Sequence, residues 1–189
     1  MKRMRRFSDV LPLLLLWLML SVFLWGFVFD RLTDAPPAEK LVLFADAVLT
    51  DETALALQLE EQMEAPVRMV QVRAFSYAMM GSEDIENADL YIVGATEAES
   101  YREWFAPLPA ALADKGEILT MNGAPCGVKI WDAASGTGAA AAFVNYLSPG
   151  RAPQDYYLFV GRNSLHVQDH DNAVDHQAVS CALHLLSIQ

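Results

Sequence analysis

The chain has 189 residues, 53% of them hydrophobic, and sets 13 Lys and Arg against 24 Asp and Glu. Four of the basic residues and one of the acids precede residue 10, so the remainder holds nine cationic and 23 anionic residues, a formal net charge of −14. That surface excludes nucleic acid as a partner, because binding it needs cationic side chains that displace phosphate counterions; it fits solubility outside the cell and could attract cationic ligands.

Residues 1–9 are a basic segment carrying Lys2, Arg3, Arg5 and Arg6. Residues 10–29, VLPLLLLWLMLSVFLWGFVF, contain no charge. As a helix rising about 1.5 Å per residue they span roughly 30 Å, the thickness of a bilayer's hydrocarbon core. The charges that follow, Asp30, Arg31 and Asp34, are mixed in sign. The asymmetry predicts a single-pass membrane protein with a cytoplasmic N-terminus and an extracytoplasmic C-terminal domain. A cleaved signal peptide would have a shorter apolar core and a small-residue cleavage site, which Phe27 to Arg31 do not supply. No Cys lies near the segment to carry a lipid anchor.

Residues 30–39, DRLTDAPPAE, read as a linker, with Pro36-Pro37 favouring an extended spacer. Residues 40–189 have the length of one domain. LVLFADA from Leu41 is an apolar run that fits a strand buried on both faces. Thr50 is expected to cap a helix with Asp51 and Glu52 in its first turn and Leu55, Leu59 and Met63 on its inner face. VRMVQVRAF after Pro66 and Asp89 to Val93 read as strands. Thr96 is expected to cap a helix carrying Tyr101, Trp104 and Phe105, and a short helix follows at Ala110 to Ala113. Glu117 to Met121, Gly127 to Trp131 and Tyr156 to Val160 read as further strands. Ala139 to Leu147 and Asn172 to Leu186 read as helices.

Strands alternating with helices predict an α/β fold, a single mostly parallel sheet flanked by helices. Ligands on such sheets bind in loops at the strands' carboxyl ends. Those loops are Ala45 to Thr50, Phe75 to Glu83, Gly94 to Glu97 and Asp132 to Gly138. Their polar side chains make Ser76, Tyr77, Ser82, Thr96, Ser135 and Thr137 the candidate ligand contacts. Ser135-Gly136-Thr137-Gly138 lies between a predicted strand and a predicted helix, where backbone amides can hold an anion, although a tight turn needs glycine in any case. Phe75, Ser76, Tyr77, Met79 and Met80 form a soft aromatic patch that serves packing or ligand contact.

Motifs for chemistry are missing. His166, His170, His176 and His184, with Asp169, Asp171 and Asp175, could suggest a metal site, but His176 and His184 point about 80° apart on a helix. There is no HExxH and no GxSxG elbow, and paired carboxylates carry little information in so acidic a chain. No enzyme activity, cofactor or metal is therefore expected. Cys126 and Cys181 both lie outside the membrane segment, where they could form a disulfide or remain buried thiols.

The C-terminal half, DYYLFVGRNSLHV followed by NAVDHQAVSCALHLL, resembles the ending of type 2 extracellular solute-binding proteins. NGAPCGVKIWDA is similar to a strand of that family, with Cys126 where an aromatic is often found. NADLYIVGA and LVLFADA resemble a ligand-loop strand and the opening strand of the same fold. The resemblance spans residues 40–189 and implies one reduced, membrane-anchored lobe of a fold that usually has two lobes. It implies ligand contacts from the loops named above. The expected function is a membrane-tethered ligand-binding or transport-accessory module that takes a small molecule or peptide, or docks on a membrane transport complex. The alternative is a non-catalytic interaction ectodomain, which exposed Tyr101, Trp104 and Phe105 on one helix would favour.

Overall fold

The structure is a computed structural model that describes residues 2–75, 82–147, 152–169 and 171–188. The chain divides into two units, Met1–Pro36 and Pro37–Gln189. The first is a helix, α1 (Lys2–Thr33). Its segment Val10–Phe29 has a mean hydropathy of 2.3 and is long and apolar enough to cross a membrane. The helix continues through residues 30–33, so the linker is shorter than the sequence suggests.

The second unit is α/β. After a 3₁₀ turn (Pro37–Glu39) come β1 (Lys40–Ala45), β2 (Val48–Leu49), α2 (Glu52–Glu60), β3 (Met69–Ala74), α3 (Glu83–Glu86) and β4 (Leu90–Gly94). Two 3₁₀ segments follow, Ala98–Trp104 and Ala110–Leu112. Then come β5 (Ile118–Met121), β6 (Ala124–Asp132), β7 (Thr137–Gly138), β8 (Val144–Asn145), β9 (Tyr156–Val160) and α4 (Gln177–Ser187). The main sheet runs β3-β1-β4-β9-β6-β5, with β7 on β6, while β2 and β8 make a separate antiparallel pair.

The sheet is mixed. β3, β1 and β4 are parallel, as expected of strands linked by helical crossovers. The later pairings, β4 with β9, β9 with β6 and β6 with β5 and β7, are antiparallel. The expectation of a mostly parallel sheet therefore holds only for its first half. β5 and β6 are joined by the two-residue turn Asn122–Gly123, both at positive φ, a connection that forces antiparallel pairing.

Alternation along the central strands explains their unbroken apolar runs. Leu90 and Ile92 of β4, Tyr156, Leu158 and Val160 of β9, and Leu41 and Leu43 of β1 join one core with Leu55 and Leu59 of α2 and Ala178, Cys181 and Leu185 of α4. Tyr91, Val93, Tyr157, Phe159 and Phe44 belong to a second, largely aromatic core with Tyr101 and Phe105. Each such strand is buried on both faces.

Several local expectations change. Asp51, not Thr50, caps α2, its Oδ1 accepting from Ala54 N–H at 2.9 Å. Asp51→Ala is expected to lower the unfolding free energy by about 1 kcal/mol, read by chemical denaturation of the full chain in micelles. Residues 139–147 are not helical. Ala139 N–H donates to Ile130 O and Ala140 N–H to Ile188 O, so these amides serve the sheet and the C-terminus instead of a helix. Ala140 takes a positive φ of 55°, outside the helical region. The closing helix begins at Gln177, later than Asn172.

Candidate functional site

An open cleft of about 680 Å³ lies at the carboxyl ends of β1 and β3. Residues 46–52, Ala74 and Phe75 line it, so it coincides with the first loop expected to carry a ligand. The loop is held on both sides. Asp46 N–H donates to Ile92 O on β4 (2.7 Å), and Thr50 N–H donates to Phe143 O (2.8 Å). β2 pairs with β8, which fixes the outer wall. Phe75 N–H donates to Ala45 O, and its ring packs 5.1 Å from Tyr101. Asp46, Asp51 and Glu52 make the lining acidic, and Asp46 is buried. Val48, Leu49 and Phe75 supply apolar surface. A cleft of this kind can take a small ligand that bears a cationic group.

Among the described residues, the expected contacts Ser82, Thr96, Ser135 and Thr137 do not line it. Ser76 and Tyr77, and most of the aromatic patch they belong to, lie outside the described residues. Ser82 stands just before α3, its carbonyl accepting from Ile85 N–H. Thr96 is engaged at the surface: its hydroxyl lies 2.6 Å from both Glu97 Oε2 and Gln154 Oε1. Ser135 and Thr137 face each other across a turn at 2.7 Å. That turn connects β6 to β7 and starts no helix. Its Ser135 N–H already donates to Asp132 Oδ1 at 2.7 Å. Bonds from the Ser135 backbone and side chain hold the Asp132 carboxyl below its ordinary range. An anion there would meet a carboxylate, so the plain-turn reading stands.

Lys129 is surrounded by acids. Its Nζ lies 2.8 Å from Asp155 Oδ2 and 3.5 Å from Asp132 Oδ2, and it also pairs with Glu117. The Asp155 and Glu117 bonds raise it above the ordinary lysine value, which unfits it as a nucleophile. Cys126 and Cys181 are free buried thiols, and the sheet separates them, Cys126 in the aromatic core and Cys181 in the other.

A buried polar cluster that the sequence did not reveal joins Asp89, Ser164, His166 and Asp175. Ser164 Oγ donates to Asp89 Oδ1 at 2.6 Å, and Val42 N–H donates to Asp89 Oδ2 at 2.7 Å. His166 N–H donates to Ser164 Oγ at 3.0 Å. The His166 ring meets Asp175 at Nδ1 (2.8 Å) and the carbonyls of Lys40 and Pro37 at Nε2 (3.1 and 3.2 Å). Ser, His and Asp come together, but not as a nucleophile and its base, because neither ring nitrogen faces Ser164 Oγ. Burial is the main cause that pushes the Asp89 carboxyl up to about 6, against the bonds from Ser164 and Val42. Among the described residues, no group of three His, Cys, Asp or Glu could hold a metal ion. Compared with known proteins, the chain matches no protein-family model, no curated protein and no solved structure.

Proposed function

We propose that the chain is a membrane-tethered ligand-binding or transport-accessory module. Residues 10–29 anchor it, residues 1–9 lie in the cytoplasm, and the α/β unit stands outside the cell, where it works without chemistry of its own. The observation that carries this reading is the position of the cleft. It opens at the carboxyl ends of parallel strands, where α/β sheets take their ligands, and acids line it. The ligand is a small molecule or short peptide with a cationic group, and the family resemblance of residues 40–189 points the same way. The docking alternative loses its specific support, since Tyr101 and Phe105 are buried in the aromatic core and Trp104 packs against it.

Thermal unfolding of the full chain in detergent micelles tests the proposal, with amino acids, cationic amines, sugars, metal salts and anions added in turn. An amine-bearing ligand at about 100 times its Kd is expected to add about 2.7 kcal/mol, with a matching rise in Tm. Asp46→Asn is expected to weaken that effect. If no class of ligand moves the transition, the cleft is not a ligand site.

A further inference from the structure

His166 is fully buried, and acceptors face both of its ring nitrogens. Asp175 presents its carboxylate to Nδ1, with its two oxygens at 2.8 and 2.9 Å. The carbonyl oxygens of Lys40 and Pro37 face Nε2. A neutral imidazole carries one N–H and one lone pair, so one of its nitrogens would be left facing oxygen with nothing to donate. Only an imidazolium satisfies both sides. The ring thereby joins two regions distant in sequence. One is residues 37–40, the entry into the folded unit. The other is the start of α4, where Gln177 N–H donates to Asp175 Oδ1 (2.9 Å) and Ala178 N–H to His166 O (3.0 Å).

We propose that this domain carries a proton-held clasp, in which the His166 imidazolium fastens residues 37–40 to Asp175 and the start of α4, and loss of its proton releases the entry segment while the sheet stays folded. The charged groups that act on the ring are Asp89, at the start of β4, and Asp175, which precedes α4. Cys181 on α4 and Tyr91 on β4 feel the Asp89 charge in turn. Burial and the Asp89 charge push the Cys181 thiol up to about 12 and raise Tyr91 as well, so both stay neutral. Burial pulls the His166 ring down, but the Asp89 charge, the bond and charge of Asp175 and the Pro37 carbonyl outweigh it and raise the ring above the ordinary histidine value. A cavity of about 450 Å³ lined by Pro37, Lys40 and Asp89 brings solvent to the cluster's edge.

The direction of the pH effect follows. A histidine raised on folding gives a stabilisation that is complete below its unfolded value and lost as pH rises through its folded value. Asp89, also raised, favours the folded state as pH falls through about 6 toward its ordinary 3.8, so both groups act in the same sense.

Amide hydrogen exchange on the full chain in micelles, between about pH 6 and about pH 9 and corrected for intrinsic rates, reads the clasp directly. Protection over residues 38–40 is expected to fall about tenfold per pH unit above the unfolded histidine value, until His166 has titrated, with β9 protection unchanged. His166→Gln is expected to make that protection low and independent of pH. Protection that holds steady, or that falls together with β9, would overturn the proposal. The native chain gives a second readout independent of any variant. Nitrogen NMR of the labelled imidazole is expected to show both ring nitrogens protonated at neutral pH, and a neutral tautomer there would overturn the clasp.

Discussion

Replacing Asp89 by Ala is expected to lower the unfolding free energy of the α/β unit by roughly 3–5 kcal/mol, the usual cost of removing one member of a buried charge cluster. Asp89 is only 3% exposed and serves three neighbours. Without its carboxylate the Val42 N–H and the Ser164 hydroxyl lose their acceptors, and the His166 cation loses a nearby opposite charge. Asp89→Asn separates these effects. It retains an acceptor for Val42 while removing the charge, and its cost is expected to be about 1–3 kcal/mol near neutral pH. Because burial raises the native carboxyl to about 6, wild type gains stability as pH falls from about 6 toward 3.8 while Asp89→Asn, which has no proton to take up there, does not, and the gap between them should widen. Denaturant titrations of the three chains in micelles, above and below the Asp89 midpoint, give the comparison. Equal stability of wild type and Asp89→Ala would remove the cluster from any account of this fold.

Gly161→Ala is the second large effect. Gly161 follows β9, bridges to Phe105 and donates its N–H to Asp89 O at 2.8 Å. A Cβ there would sit 1.9 Å from the carbonyl oxygen of Ala88, which is backbone and cannot swing aside. Either the β4–β9 pairing shifts or the Asp89 segment moves, and the expected cost is about 3 kcal/mol or more. Gly123→Ala is the matched control. A Cβ at Gly123 meets nothing within 4 Å, and its φ of 79° leaves only a left-handed strain of roughly 1–2 kcal/mol. If Gly161→Ala costs no more than Gly123→Ala under the same denaturant titration, close packing at the end of β9 is not what constrains that glycine.

The resemblance to one lobe of a solute-binding protein enters the functional reading only as a proposal. The fold is α/β, and the second half of its sheet is antiparallel. The cleft is the more physical argument, because strand direction and loop position create it whatever the ancestry of the chain.

Much of the architecture was legible in the residues because it rests on local patterns. Twenty uncharged residues make a membrane-length helix from their composition alone, and that helix is present. LVLFA, LYIVG and YYLFV read as strands because burial on both faces leaves no polar position to obscure the signal. Leu55 and Leu59 marked the inner face of α2 because helical spacing repeats within a few residues. The failures came where tertiary partners outbid local preference. The alanine run at 139–142 favours helix, yet its amides are taken by Ile130 and Ile188. The Asn122–Gly123 pair carried the hairpin signal that would have marked an antiparallel segment.

The sequence by itself determined the apolar helix, the acidic balance, the main strands and the loop where the cleft opens, since each depends on composition or on spacing over a few residues. Strand order and direction, the separation of the two cysteines and the His166 cluster were decided only by the tertiary structure. His166 and Pro37 are 129 residues apart, and Asp89 and Ser164 are 75 apart. No local pattern encodes such pairs. Only the packed sheet brings them together, and burial then gives an ordinary histidine and aspartate their altered proton affinities.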